Sequence, residues 1–362
     1  MTEQTPSNST EAPLRAHDTV APRFSIVIPT FNRRERVLRA IDHVLQQAEA
    51  GPVQIVVVDD GSTDGTADAI AQQYRGNSAI EVIVTANRGP SAARNTGIGL
   101  ARGELVCFLD SDDWFRQDTL ALVARVFERW PQLRFVSIEG RREPMKGPVS
   151  SVDNNGGIVR PDCPGWNSPG FRHSTIREET FEFSGSSGES ECDVLIGDLF
   201  PAIVHGDMFY LSGLFIRREA IAIAGPFNED YWLFEDWDFH ARLCLQNPGG
   251  YVGHIGFCRE TGSGDQLSRR MSMQRNAAMH LRILRNLSAN AALERRSDYQ
   301  SHVLRARADA HYWLGRCLLG GERPKLRQAR KCLLASLRQG HKPVKSIYLI
   351  GMSLLHRTRA IG

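Results

Sequence analysis

The sequence predicts an α/β protein built on a mostly parallel sheet and followed by a helical subdomain. Three observations carry this. Short apolar runs alternate with segments of helical period from residue 24 to 138. Each run stops at a cluster of polar residues, which gathers those clusters on one sheet edge, where α/β sheets bind ligands. From residue 266 onward helical spacing takes over without further strands.

Phe24–Ile28 (FSIVI) ends at Pro29 and reads as a buried strand. Arg33–Ala48 carries Val37, Ala40, Ile41, Val44 and Leu45 at helical spacing. Val53–Val58 is the second strand, stopped by Asp59-Asp60-Gly61, and Asp64 is placed to cap a helix from Gly65 to about Tyr74. Ile80–Val84 is the third strand. Pro90–Ala101 is a helix with proline in its first turn, where the missing N–H costs nothing. Glu104–Leu109 is the fourth strand, stopped by Asp110-Ser111-Asp112-Asp113. Thr119–Arg129 is a helix and Arg134–Ile138 a strand.

Residues 139–207 are rich in Gly, Pro, Ser, Asn and acids, and read as an irregular insertion holding a short strand or two. Tyr210–Ile216 reads as a strand, Arg217–Ala224 as a short helix, Glu235–Leu245 as a helix opening on Glu-Asp-Trp-Asp, and Tyr251–Cys258 as the last strand. Helices follow over about 266–290, 298–319, 323–339 and 343–357. The spacing of Ala308, His311, Tyr312, Leu314 and Gly315 against Ala329, Leu333 and Leu337 faintly resembles one tetratricopeptide-type unit, too little for a repeat array.

The 362 residues fit two domains. The net charge of +3 argues against a nucleic-acid binder, but it hides a division. Residues 259–362 hold 21 Lys/Arg and 6 Asp/Glu, a net of +15, which leaves −12 for residues 1–258. A basic end of this kind predicts an anionic partner, either a membrane surface or a lipid-diphosphate acceptor; a solvated face docked on the acidic part is the plainer reading. The seven cysteines are odd in number and show no CxxC spacing, which predicts free thiols in a reducing compartment. Residues 1–22 lack an apolar core and read as a disordered lead-in. No apolar run is long enough for a spanning helix.

The acid clusters set the chemistry. Alternate carboxylates in Asp110-Ser111-Asp112 can turn toward one point, as a hard divalent cation bridging a diphosphate requires; a solvated Asp-rich turn is the alternative. Asp60, Ser62, Asp64 and Gly65 match the start of an EF-hand loop, but its twelfth position would be Ala71 instead of Glu. The segment reads better as a strand-to-helix turn in which Asp60 can accept from a base N–H. Asn87–Asn95 (NRGPSAARN) enters a helix whose N-terminus favours anions, and Arg94 is placed to pair with a pyrophosphate unless it merely decorates the helix. Glu235-Asp236 supplies either helix-start charge or a carboxylate that takes a proton from an acceptor hydroxyl. There is no P-loop, no GxGxxG after the first strand, no HExxH and no GxSxG. That argues against an ATPase, a dehydrogenase, a zinc protease and an α/β-hydrolase.

FSIVIPTFN (24–32), VVDDGSTDGT (57–66), NRGPSAARNTG (87–97), LVCFLDSDDW (105–114) and FEDWDFHARL (234–243), in this order, resemble the family 2 glycosyltransferases of the GT-A fold. The resemblance covers about residues 22–260, weakens across 139–207 and leaves out the tail. It implies a GT-A nucleotide-diphospho-sugar transferase domain over residues 23–260 and a basic helical subdomain over 261–362. It also implies a nucleotide-sugar donor (UDP- or dTDP-linked), Mn²⁺ or Mg²⁺, and inversion at the anomeric carbon. Carried over, Pro29, Thr30 and Phe31 line the base pocket and Asp60 bonds the base. Arg94 lies near the ribose and diphosphate. Asp110 and Ser111 belong to the donor-contacting DXD loop, Asp112 binds the metal with Asp110 beside it, and Asp236 is the base with Glu235 as runner-up. Relatives often carry a His where this chain reads Cys258–Gly264, and His254, a few residues earlier, reads as a strand residue instead of a third ligand. The expected acceptor is a glycan or lipid-linked sugar in cell-envelope or exopolysaccharide synthesis. The expected place is the cytoplasm, with the tail at the inner face of the membrane. The contrasting reading is a non-catalytic sugar-nucleotide or protein-binding module that works through its tail.

Overall fold

A computed structural model describes residues 21–47, 51–144, 176–186, 188–261, 272–320, 324–340 and 342–358. The lead-in up to residue 20, residues 145–175 of the insertion and the segment 262–271 lie outside the described residues.

Strands β1 (Phe24–Thr30), β2 (Val53–Asp59), β3 (Ile80–Val84) and β4 (Leu105–Phe108) form the parallel half of one sheet, in the order β3-β2-β1-β4. The chain winds outward from β1 to β3, then crosses back to place β4 on the other side of β1. The carboxyl ends of β1 and β4 are therefore the topological switch point, where such sheets open a crevice. Pro29 is tolerated in this central strand because β1 pairs with β4 only as far as Val27, opposite Phe108.

Beyond β4 the sheet turns mixed. β9 (Leu214–Arg217) runs antiparallel to both β4 and β6 (Phe135–Pro144). β6 lies parallel to the long β10 (Gly249–Thr261), which also carries the short β5 (Asp113–Phe115). The antiparallel pair β7 (Arg177–Gly185) and β8 (Gly188–Gly197) closes that edge. Both strands lie within the insertion. The run Tyr210–Ile216 is only partly a strand, because Leu211–Gly213 forms a 3-10 turn before β9. The turn brings Gly213 against β6, where a Cβ would stand 2.6 Å from the Ile138 carbonyl oxygen.

Both faces are covered. Phe24, Ile26 and Ile28 pack under α1 (Arg34–Leu45) and α4 (Thr119–Arg129). Val27, Val56 and Val58 face α3 (Pro90–Leu100). Gly97 lets α3 sit directly on β1, since a Cβ there would lie 2.2 Å from Val27 Cγ1. Helices α2 (Thr66–Gln73), α5 (Phe200–Ile203), α6 (Arg218–Ala224) and α7 (Glu235–Gln246) complete the layers. The tail contributes α8 (Met273–Ser288), α9 (Ala291–Glu294), α10 (Ser297–Leu319), α11 (Leu326–Arg338) and α12 (Pro343–Thr358). Its first helices are not a separate body: Leu281, Leu284, Tyr299 and Val303 share one core with Trp237 and Phe239 of α7.

Candidate active site

The switch-point crevice is built from four loops. After β1 come Phe31, 44% exposed, and Asn32 in the left-handed region at φ 51°. Asn32 reads the next loop: its N–H donates to Ser62 Oγ at 2.8 Å, and its Oδ1 accepts from Thr63 N at 2.8 Å. Asp64 accepts from the N–H of Thr66 at 3.1 Å and of Arg34 at 3.2 Å, so it starts α2 and ties α1 to it. Asp59 accepts from Ser62 N at 2.8 Å. Gly61, at φ 81°, gives the turn its left-handed step.

Asp60 is buried, and its carboxylate shapes the third loop. It accepts from Arg88 N at 3.0 Å, Gly89 N at 2.7 Å and Thr85 Oγ1 at 3.2 Å. Each oxygen has two lone pairs, so Oδ1 is filled and Oδ2 keeps one.

Arg94 is not an exposed helix arginine. It is 5% exposed, and it bridges Asp110 (Nη2 to Oδ1, 2.9 Å) and Glu235 (Nη1 to Oε1, 3.0 Å). Burial opposes its charge, but the two carboxylates outweigh burial and raise its pKa. Among the described residues its Nε has no partner. The loop after β4 and the first turn of α7 are thus locked to one guanidinium.

The Asp110–Asp113 loop concentrates negative charge. Burial tends to raise the Asp110 pKa, but Arg94 and Arg259 bring it below the usual carboxylate range. Asp112 is raised by burial and by Asp110 and partly relieved by Arg33, which it pairs at 3.1 Å. Asp113 is pushed well up by burial, Asp110 and Asp112, and it accepts from the Ser212 hydroxyl. Asp113 therefore faces the 3-10 turn, leaving Asp110 and Asp112 as the crevice pair. Ser111 is buried between them. Among the described residues no group of three or more His, Cys, Asp or Glu side chains is placed to hold a metal. His254 is half-buried in β10, its pKa lowered by burial and by Arg116.

At the α7 N-terminus Asp236 sits beside Glu235. Burial, Glu235 and Asp207 push its carboxyl up to about 7, while His240 pulls the other way. His240, fully buried one turn on, has Nδ1 2.9 Å from Asp207 Oδ1. Burial disfavours its imidazolium, yet Asp207 raises its pKa overall. Sequence reading missed this Asp207–His240 couple, because 33 residues separate the partners. It also missed Trp232, which is 63% exposed and lies over Gly89 at the start of α3.

Comparison with known proteins agrees with this geometry. Residues 25–172 match the family model described as glycosyl transferase family 2. An uncharacterised glycosyltransferase of Nostoc sp. is 39% identical over 107 residues, covering 29% of this chain and 33% of that protein. The chain thus spans about a third of the Nostoc relative. A PGL/p-HBAD biosynthesis glycosyltransferase of Mycobacterium tuberculosis is 32% identical over 232 residues, covering 63% of this chain and 72% of the relative. Among solved structures, S. aureus TarS 1–349 in complex with UDP-GlcNAc is similar at TM-score 0.58 and 18% identity, over 93% of this chain and 87% of that one. Mannosyltransferase PcManGT from Pyrobaculum calidifontis, in complex with GDP-Man and Mn²⁺, is similar at TM-score 0.53 and 17% identity, over 93% and 81%. With the switch-point crevice, its paired carboxylates and these relatives in place, the chain belongs to glycosyltransferase family 2, on a GT-A-like fold.

Proposed function

We propose that this chain is an inverting transferase that moves a sugar from a UDP- or dTDP-linked donor to a hydroxyl of a glycan or lipid-linked acceptor, in cell-envelope or exopolysaccharide synthesis. One observation carries the reading: buried Arg94 joins Asp110 on the donor loop to Glu235 on the helix that bears Asp236. Donor carboxylates and a proton acceptor thereby belong to one rigid site, which a binding module has no need of. In this reading residues 23–260 are the transferase domain, 139–207 its acceptor-side insertion and 261–362 the tail. The names of the mycobacterial relative and of the UDP-GlcNAc complex support an envelope role and a nucleotide-sugar donor.

Pro29, Thr30 and Phe31 line the base side, with the exposed Phe31 ring available for stacking. Asp60 holds the 85–89 loop and offers its remaining Oδ2 lone pair to the base. Arg94 acts by positioning: it fixes Asp110 toward the ribose and Glu235 away from the role of base. Asp236 takes the acceptor proton, and the freed oxygen attacks the anomeric carbon from the face opposite the leaving diphosphate, which inverts it.

A divalent cation fits the donor set. Asp110 raises the cost of ionising Asp112, and Mg²⁺ or Mn²⁺ commonly takes one or two carboxylates plus substrate phosphates. Asp112 and Asp110 would hold it, with Ser111 spacing them. When bound, the ion supplies positive charge against the departing diphosphate. Release of nucleoside diphosphate from a panel of nucleotide sugars, with and without Mn²⁺, tests the reading. Asp112→Asn is expected to lower metal-stimulated turnover about a hundredfold or more. Full metal-dependent activity in that variant would remove the metal assignment. Failure of every donor with either metal, alongside polyprenyl-diphosphate-linked and free glycan acceptors, would remove the function.

Trp232 stands four residues before Asp236 and lies exposed over Gly89, open to stack on an acceptor sugar. Trp232→Ala is expected to raise the acceptor KM about tenfold, from loss of stacking area, while leaving acceptor-independent donor hydrolysis unchanged. Initial rates against acceptor concentration measure it.

A further inference from the structure

Helix α12 is turned the opposite way from an ordinary bundle helix. Its most buried side chains are Ser346 and Ser353, both 0% exposed. Toward α11 it is held by Arg330, whose Nε donates to Ser353 Oγ at 2.8 Å and whose Nη2 donates to the Ser353 carbonyl at 2.6 Å. Of its described bulky apolar side chains, Leu349 and Ile350 are half-buried, whereas Val344, Ile347, Tyr348, Met352 and Leu354 face outward and are exposed, between 40% and 78%. At 3.6 residues per turn these five fall within an arc of about 160°. A globular helix normally turns such a stripe to the core.

The charge beside the stripe has one sign. From Arg323 to Gly362 the chain has ten Lys/Arg and no Asp or Glu. Lys325, Arg327, Lys331 and Arg338 on or next to α11, and Lys345 on α12, are exposed. No described helix is long and apolar enough to cross a membrane.

We propose that α12 docks on the surface of an anionic bilayer. Its apolar face lies at the boundary of headgroups and acyl chains, and the basic residues of α11 and α12 meet lipid phosphates. Charge selects this occupant. A second copy would bring another wholly basic segment against the same face. An anionic bilayer offers the opposite charge and an apolar layer together, the combination that interfacial helices use. The inference does not depend on the transferase reading, since it rests on α11 and α12 alone.

The test is co-sedimentation of the full chain with phosphatidylcholine vesicles, with and without phosphatidylglycerol. Binding is expected only with phosphatidylglycerol, falling as salt rises. Combined Ile347→Ser, Tyr348→Ser and Met352→Ser is expected to lower the partition constant about tenfold or more. Lys331→Glu with Lys345→Glu is expected to do the same at low salt. All five positions are exposed, and circular dichroism checks that helical content is kept. No co-sedimentation of the unmodified chain at low salt overturns the proposal, as does binding indifferent to both variants. A dimer in light scattering that the serine variant dissolves overturns it in favour of self-association.

Discussion

Asp236→Asn is expected to bind the donor normally and to lose about three orders of magnitude in turnover, within the range that general-base removal gives. The amide keeps the shape of the carboxyl but cannot accept the acceptor proton. Asp236 suits that task because burial, Glu235 and Asp207 bring it up to about 7, where a base can be both largely ionised and proton-hungry near neutral pH. The sign follows directly. Only the deprotonated form works, so turnover rises with pH, reaches half its plateau near pH 7 and falls about tenfold per pH unit well below that. His240 tunes this limb. Its positive charge, held by Asp207, favours ionised Asp236. His240→Asn removes that charge, so the limb moves to higher pH with the plateau largely kept. Other groups bear on the same point: Glu235 and Asp207 raise Asp236, and Arg94 opposes the charge on His240. A merely structural role for His240 would lower the plateau and leave the midpoint in place. Donor affinity by calorimetry and turnover across pH 5.5 to 9, a span of about 3.5 units around the imidazole range, separate the cases.

The parallel half of the sheet was legible because β1, β2 and β4 are almost wholly buried and its strands read as short, mostly apolar runs. Val53–Val58 and Ile80–Val84 agree with β2 and β3 to within a residue, and the helix opening at Glu235 starts where its acids stand. What the sequence hid is non-local. Tyr210–Ile216 has the look of one strand, but its middle turns and brings Gly213 close to Ile138 and Phe257. β5 is three residues long, too short for any period to register. β7 and β8 alternate apolar and polar residues within a Gly- and Ser-rich stretch whose composition suggested irregular chain. In the site, the residue types at each strand end were readable, because loops must satisfy their own backbone there. Their mutual bonds were not: Asp60 proves to hold a loop 28 residues on, and Asp207 meets His240 across 33.

Arg94→Ala is expected to destabilise the fold by about 3 kcal/mol, as removal of one partner from a buried ion pair does. The buried guanidinium serves two carboxylates that come from distant parts of the chain: Asp110 is 16 residues away and Glu235 is 141. Without it, both are left desolvated and facing each other, and the donor loop loses its tie to α7. Asp110 is partly open to solvent, at 30%, which keeps the loss at the lower end of the range for such pairs. Urea unfolding measures it. Arg94→Lys then divides positioning from direct contact. A lysine restores the charge at a single point but cannot span two carboxylates with the fork of a guanidinium. If Arg94 positions, the lysine variant regains most of the stability, while kcat stays depressed about tenfold or more because Glu235 and Asp236 are no longer registered against Asp110. If Arg94 instead grips the donor diphosphate, stability changes little in either variant and the loss falls on the donor KM. The buried bridge and its two charge-assisted bonds favour the first outcome. In that case the link between sugar-donor recognition and proton removal runs through a single side chain that acts by position.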